Sequence, residues 1–362
     1  MLNKKSLNSQ NTSVDSYLLI TVTVLILLGL TFVYDVSVLQ AFKDFGDSYY
    51  YIKQQLIWAS LGFLSTFYFA NFDYAKLKKF SAPAFYISLI SLVAVFIPGL
   101  GTQAGGAHRW LNLQLFTVQP AEILKLTGVL YFATIFEKKT NLKLLFAILF
   151  LVSFIMGFLQ KDLGSTVVFV VTSILLYISA GGSLWHIIAS VPIFILAGAL
   201  LIITSEYRKK RVFAFLDPFS DPQGFTYHIS QILVALGSGG ILGLGLGQSR
   251  QKFYIPEVTT DSIFSIIGEE LGIFGGVVVI GLFTFFILRG FKIASNCPDR
   301  FGQILASGIT CWIGTQAIIN LGAMVSLFPL TGVPLPFISY GGSALVANLT
   351  AVGILLNISR KR

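Results

Sequence analysis

Residues 17–34 read YLLITVTVLILLGLTFVY, eighteen positions without one charged side chain. A membrane-crossing helix needs about 20 mostly apolar residues, so this stretch is within reach of a full crossing. Asp15 and Ser16 precede it and Asp35 follows. No small-x-small cleavage signal stands before Asp35 and further apolar runs follow, so the stretch is expected to persist as an anchor.

Nine more runs follow downstream. Together the ten lie near 17–34, 56–70, 80–98, 120–136, 144–160, 163–182, 185–204, 263–288, 303–326 and 338–357, the second being short and expected to reach back into Tyr49–Gln55. Of the 362 residues, 55% are apolar and 11% charged, and the mean hydropathy is +0.79. A soluble domain runs nearer a quarter charged. An ordinary soluble enzyme, a disordered chain and a disulfide-stapled module are therefore excluded. The expected fold is an all-α integral membrane protein of ten helices. Residues 17–357 form one membrane domain between tails 1–16 and 358–362, with a large loop, 205–262, between the seventh and eighth helices.

The formal charge is +9, from 25 Lys and Arg against 16 Asp and Glu. In so apolar a chain that excess points to membrane anchoring and not to nucleic acid. Cys297 and Cys311 have no metal or disulfide spacing, and the three His residues (His108, His186, His228) are too scattered for a metal cage. With the N terminus inside, the inner segments hold fourteen Lys and Arg, including Lys4, Lys5, Lys361 and Arg362, and the short outer loops hold four, Lys43, Lys53, Arg109 and Lys161. Both termini are thus expected in the cytoplasm. The irregular sequence then falls outside, in 99–119 and 205–262. Residues 237–247, GSGGILGLGLG, carry six glycines in eleven positions and fit no dinucleotide fingerprint. Close backbone packing or a re-entrant segment suits them better.

A charge at mid-bilayer costs about 2.5–3.5 kcal/mol even on lenient scales, so ionisable residues beside the spans carry the information. Glu122 and Lys125, just after Pro120, share a helix face. They form either an internal ion pair or the polar wall of a cavity that offers Lys125 to an anion. Asp162 is either a helix cap or a site residue. Arg109 and Trp110 make either an interfacial belt contact or a phosphate-binding pair. Asp261, just ahead of the eighth run, is either an N-cap whose pKa the helix dipole lowers or a general base whose pKa is raised by burial near Glu257, Glu269 and Glu270. The run Arg208–Lys209–Lys210–Arg211 on the outer side runs against topological bias. It is read as a solvated or headgroup-facing face, or as a binder of a diphosphate or an acidic partner.

Taken together, GGAHRWLNL (105–113), FTVQPAEILKL (116–126), QKDLGST (160–166), RVFAFLDPFSDPQGFTYHISQ (211–231), ALGSGGILGLGLGQSRQKFYIPEVTTDSIFSIIGEELG (235–272) and INLGAMVSLFPLTGVPLPFISYGGS (319–343) resemble the ordered motifs of the SEDS family. The resemblance spans nearly the whole chain. The G-x-G-Q-S-x-Q-K stretch is similar to the division branch, FtsW-like, with the RodA-like elongation branch next. It implies ten spans and an inverting peptidoglycan glycosyltransferase that polymerises lipid II into glycan strands on the outer face of the cytoplasmic membrane, at the division septum. Its implied partners are lipid II and the nascent glycan strand, a class B penicillin-binding protein and other division-complex membrane proteins.

Carried over residue by residue, Asp261 matches the family's essential Asp, Glu257 its Pro-Glu, Arg109 and Trp110 its Arg-Trp, Glu122 and Lys125 its Q-P-x-E-x-x-K, Asp162 its D-L-G and Gly341–Gly342 its Y-G-G. Asp261 is then the catalytic base for the acceptor 4-hydroxyl. Arg109, Trp110, Glu122, Lys125, Asp162 and Glu257 bind substrate, and a divalent cation (Mg or Mn) helps to hold the diphosphate. Two positions depart from the pattern: Ser262 stands where Phe is usual, and Lys161 where Pro is usual. A flippase for the lipid-linked precursor and a scaffold for the penicillin-binding protein are the rival readings.

Overall fold

Helices occur at every apolar run. The computed structural model describes residues 14–104, 107–114 and 116–360. Most of the two expected tails, with Lys4, Lys5, Lys361 and Arg362, therefore lies outside the described residues, as do Gly105 and Gly106 of the first family-like motif. In chain order the helices are α1 (Ser16–Phe45), α2 (Tyr50–Asn71), α3 (Tyr74–Ala94), α4 (Pro120–Phe136), α5 (Leu142–Ser153), α6 (Leu163–Ser179), α7 (Leu184–Ile203), α8 (Glu206–Leu216), α9 (Tyr227–Ser238), α10 (Ile263–Asn296), α11 (Arg300–Met324) and α12 (Gly342–Ser359). A π-helical turn, Phe154–Leu159, prolongs α5. Six of the described helices are long and apolar enough to cross a membrane: α1, α3, α5 with its π-turn, α10, α11 and α12.

Three departures from the sequence reading have identifiable causes. First, α1 runs on past Asp35 because Lys252 pairs with that carboxylate at 2.8 Å. It stops where Gly46, at φ 70°, returns its N–H to the Phe42 carbonyl at 2.9 Å. Second, α10 runs past Arg289, whose guanidinium pairs with Asp15. Third, the fold is mostly helical but not all-α. Residues 101–118 form a small antiparallel sheet in the order β1 (Gly101–Ala104), β2 (Ala107–Asn112), β3 (Thr117–Val118), with Trp110 opposite Thr102. This stretch lacks the 3.6-residue apolar period that would have made it helical. The 205–262 loop is ordered as well, holding α8 and α9.

α11 and α12 are buried on nearly all sides and form the centre, with Trp312 fully buried and with Gln316 and Asn320 as polar groups among the apolar ones. α2 packs along α12 through small residues. A Cβ on Gly353 would lie 2.6 Å from the Thr66 carbonyl, and the Thr66 hydroxyl donates to the Leu349 carbonyl at 2.8 Å.

The least ordinary element is α10. Its helix is interrupted at Gly272 (φ 66°, ψ −163°), so a first half-helix, residues 263–271, precedes the long second part. A break in an apolar setting strands backbone donors and acceptors unless another chain segment meets them. The glycine-rich stretch does so. Leu244 and Gly245 N–H donate to the Glu269 and Glu270 carbonyls, each at 3.0 Å, and Ile273 and Phe274 N–H donate to the Gly240 and Ile241 carbonyls at 3.0 and 3.3 Å. Glycine is required at this crossing. A Cβ on Gly243 would sit 2.1 Å from the Glu270 carbonyl oxygen, and one on Gly272 2.4 Å from Gly243 N. Close backbone packing, one of the two readings of GSGGILGLGLG, is what the structure contains.

Gly272→Ala should therefore lower the thermal unfolding temperature of the detergent-solubilised protein sharply, since a Gly-only backbone conformation alone costs about 1–3 kcal/mol and the backbone clash adds to it. Gly281→Ala, on the same helix with nothing within 4 Å of the new methyl, should leave it unchanged or slightly raised. Equal effects from the two would contradict this account of the break.

Candidate active site

Asp261 ends the turn that feeds the first half of α10. It does not cap that helix. Ser262 occupies the cap position without a side-chain cap bond, and the Asp261 carboxylate accepts from the Thr260 hydroxyl at 3.3 Å. The turn is held from behind by later parts of the chain. The Asn320 amide of α11 donates to the carbonyls of Asp261 (2.7 Å) and Val333 (2.8 Å), and Tyr340 N–H donates to the Thr259 carbonyl at 2.8 Å. The carboxylate faces Gly332, where a Cβ would lie 3.8 Å from Oδ2.

Asp261 is 6% exposed. Burial lifts its carboxyl to about 6; the Arg211 guanidinium opposes the rise and the Glu257 charge adds to it. Of the three acidic neighbours named from sequence, Glu257 is the one acting. Glu269 and Glu270 are turned to the glycine-rich loop: Glu270 accepts from Gly247 and Ser249 N–H at 2.9 and 3.0 Å, and Glu269 from Arg250 N–H at 3.1 Å and from the Ser249 hydroxyl. Glu257 is exposed, at φ 51°, and its carboxylate also accepts from the Thr260 hydroxyl, at 3.3 Å.

A cavity of about 530 Å³ lies between α6, α7, α8, α11 and the irregular segment 325–341; Asp261 does not line it and adjoins it through Gly332 and Thr331. Most of its wall is apolar, from Val167, Val171, Leu175, Ile202, Ile318 and Ile319, while Arg109, Lys161, Arg208 and Arg211 place four cations on it. Thr331 lines it, next in chain to the Gly332 that packs on Asp261. A second cavity of about 300 Å³ shares Arg211, Phe328, Pro329 and Leu330 with the first and adds Lys210 and His228.

The cations are placed by their own contacts. Arg109 Nη2 donates to the Lys161 carbonyl at 2.6 Å and ties the sheet to the α5–α6 turn, while its Nε is buried with no hydrogen-bond partner among the described residues. Arg208 Nη2 donates to the Gly157 carbonyl at 2.5 Å and Arg211 Nη1 to the Leu330 carbonyl at 2.8 Å. Lys161 sits at φ 57°, a conformation closed to proline. The departure from the family pattern at this position thus goes with a changed backbone as well as an added charge.

The other sequence candidates are placed further in. Asp162 caps α6, accepting from Ser165 N–H at 3.1 Å, and lies 3.5 Å from the Gln119 amide. Lys125 pairs with Glu122 at 2.7 Å, both side chains 1% exposed. Lys125 also donates to Gln316 Oε1 at 2.7 Å, and Trp312 Nε1 donates to the same oxygen at 3.1 Å. The Gln316 amide then reaches the Pro334 carbonyl at 3.1 Å. The internal ion pair is therefore formed, and it is linked through Gln316 to the segment that covers Asp261. Trp110, on β2, is half-buried.

Two contributors escaped the sequence reading. His228 Nε2 lies 2.8 Å from the Ser262 hydroxyl, and burial together with Arg211 holds the ring down to about 4, leaving it neutral at neutral pH. Only the departure at Ser262 hinted at this pair. Arg211 was visible as one of four basic residues, but nothing in the run singled it out. Cys297 and Cys311 are both buried and free.

Fold and site together define a polytopic helical membrane protein with a buried acid set beside an apolar cavity that carries four cations. Residues 15–362 match the profile of the cell cycle proteins FtsW, RodA and SpoVE, and the chain belongs to that family. It is 39% identical to stage V sporulation protein E of Bacillus subtilis strain 168, over 98% of this chain and 99% of that protein. It is 40% identical to the probable peptidoglycan glycosyltransferase FtsW of Trichlorobacter lovleyi, over 95% and 93%. Among solved structures, a chain described under structural coordination of polymerization and crosslinking by a peptidoglycan synthase complex superposes with a TM-score of 0.80 at 28% identity, covering 96% of this chain and 98% of that one. The rod shape determining protein RodA of Thermus thermophilus gives 0.70 at 26% identity, over 96% and 97%.

Two stability outcomes follow from the site. Lys125→Met should cost about 3–5 kcal/mol by leaving Glu122 buried and unpaired, and the double variant Glu122→Gln/Lys125→Met should recover most of it, both read by thermal unfolding. The folded pKa of Asp261, about 6, lies above its ordinary 3.8. The folded chain therefore holds that proton more tightly, and the associated stability, complete below about pH 4, is lost as pH rises through about 6. Asp261→Asn should accordingly be more stable than wild type at pH 8, by roughly 2–3 kcal/mol, with the gap closing at pH 4.

Proposed function

We propose that this protein is a septal peptidoglycan glycosyltransferase that polymerises lipid II into glycan strands on the outer face of the cytoplasmic membrane. Ten of its helices, α1–α7 and α10–α12, cross the bilayer. Both termini lie in the cytoplasm, following the distribution of Lys and Arg, so that the sheet, α8, α9 and Asp261 lie outside. The observation that carries the reading is the pairing of a buried carboxyl, lifted to about 6, with an apolar cavity carrying four cations. An undecorated acid would not need the cavity, and a lipid-binding slot would not need the acid.

The chemistry follows from that pairing. The acceptor 4-hydroxyl oxygen forms a bond to the anomeric carbon of the donor sugar while the bond from that carbon to the lipid diphosphate breaks, with inversion. Asp261, ionised above about pH 6, takes the hydroxyl proton. The diphosphate leaves with the electron pair, and Arg109, Lys161, Arg208 and Arg211 offset its charge in a low-dielectric setting. The apolar wall accepts the lipid tail. Glu122, Lys125 and Asp162 act from within: the ion pair holds Gln316 and through it the segment over Asp261, and Asp162 fixes the start of α6. Trp110 follows Arg109 on β2 of the outer sheet.

Among the described residues no three His, Cys, Asp or Glu side chains group as a metal cage. Mg suits sites with one or two carboxylates plus substrate phosphates, so Mg or Mn would enter with the diphosphate and keep phosphate oxygens and water as its main ligands. Such an ion would add to the neutralisation of the leaving group. A class B penicillin-binding protein, which would crosslink the strands, and other division-complex membrane proteins are the proposed partners.

The test is strand formation from purified lipid II by the protein co-purified with its class B partner. Asp261→Asn should lose at least about 100-fold in rate, and the wild-type rate should climb as pH rises through about 6. Wild-type strand formation by Asp261→Asn would remove Asp261 from the mechanism. Intact complexes that bind lipid II yet form no strands would favour the precursor-flippase reading instead.

A further inference from the structure

The mechanism leaves unused the outer ends of α1 and α2, where aromatic rings gather. Tyr34 stacks on Tyr49 with centroids 5.7 Å apart, and Phe45 on Tyr50 at 3.7 Å. Tyr51 meets Phe45, Tyr50 and Tyr340 edge-on, at 5.9, 5.6 and 5.2 Å. Phe45 and Tyr49 remain 51% and 54% exposed, so ring surface is presented outward and not consumed in the core.

This group is joined to the site. Tyr340 N–H holds the Thr259 carbonyl two residues before Asp261. Glu257, whose carboxylate shares the Thr260 hydroxyl with Asp261, lies within electrostatic reach of Tyr51. The rim is polar and mildly acidic. Asp44 accepts from the Tyr51 hydroxyl at 3.5 Å, and Asp47 accepts from Lys53 at 2.7 Å. Asp44, Asp47 and Glu257 thus face Lys43 and Lys53, and Lys53 is already paired. The cavity reached from Asp261 through Gly332 and Thr331 carries Arg109, Lys161, Arg208 and Arg211 instead. One flank therefore suits a phosphate, and the other repels it.

We infer that this aromatic platform is a saccharide subsite, which receives the uncharged sugar backbone of the glycan strand at the end away from the diphosphate. The class of ligand follows from the chemistry. The C–H faces of a β-linked hexosamine pack on the electron-rich faces of aromatic rings, and its hydroxyls donate to carboxylates. Tyrosine supplies such contact area at low conformational cost. A phospholipid headgroup would bring its phosphate against the Asp44 and Glu257 carboxylates, Asp47 being neutralised by Lys53. The assignment of the sugar to the growing strand rests on the polymerase reading above; the affinity for saccharide does not.

The experiment measures anisotropy of a fluorescein-labelled hexasaccharide of β-1,4-linked N-acetylglucosamine on the purified full-length protein in detergent. Wild type should bind saturably. Tyr51→Ala should weaken binding about fivefold or more, while Tyr51→Phe, which keeps the ring, should stay within about twofold. A normal elution profile and melting temperature for Tyr51→Ala exclude misfolding as the cause. Equal affinity across the three proteins, absence of saturable wild-type binding, or displacement by phosphatidylglycerol micelles but not by unlabelled hexasaccharide would each overturn the subsite. Lipid II polymerisation by the same preparations separates the two readings. Tyr51→Ala should give shorter strands than wild type. Tyr51-dependent saccharide binding by a wild-type protein that forms no strands would uphold the subsite and sink the polymerase. Normal strand lengths with Tyr51-independent binding would do the reverse.

Discussion

The break in α10 at Gly272 is the constraint around which the rest is arranged. A helix in an apolar setting satisfies its own backbone, and interrupting it exposes groups that neither lipid nor side-chain packing can satisfy. The chain meets them with a second backbone, the glycine-rich stretch after α9, which must approach closer than any Cβ permits. The half-helix left over, residues 263–271, is thereby pinned in place. Its free end is where Asp261 stands. Glu269 and Glu270 emerge from the same half-helix to bind residues 247–250 of the loop before it, and Lys252 carries that network on to Asp35 of α1. The acid is thus positioned by a loop-to-helix backbone contact and not by the geometry of a continuous span.

The electrostatics obey the same arrangement. In the first turn of a continuous helix, a carboxylate would meet free N–H groups and titrate low. Displaced from the cap position, Asp261 loses that stabilisation and is governed by burial, partly offset by Arg211. The Glu122–Lys125 pair contributes at a distance. Its link through Gln316 to Pro334 steadies the segment that lies over the carboxylate.

The apolar runs were legible because a bilayer-sized helix needs only length and composition. Their ends were less so. Asp35 and Arg289 look like stop signals until their partners, Lys252 and Asp15, are brought up by the fold. The sheet at 101–118 was hidden because its strands are short and interrupted by glycine. At the site, Asp261, Arg109 and the Glu122–Lys125 pair stood out as expensive charges in an apolar chain. Whether Lys125 faced a ligand or Glu122 depended on Gln316 and Trp312, which lie some 190 residues on and carry no charge to announce them. The His228–Ser262 contact joins positions 34 apart, with no motif to connect them.

The Asp261 turn is held by residues that the ribosome delivers much later. Asn320, 59 residues downstream, clasps the Asp261 carbonyl, and Tyr340 the Thr259 carbonyl. During biosynthesis Asp261 is therefore made well before the groups that set its orientation. A chain stopped after α10 carries the acid and all four cavity cations, yet lacks the clasp. The orientation of Asp261 thus waits on α11 and the segment that follows it, and a chain released before them has the carboxylate without the groups that hold its turn.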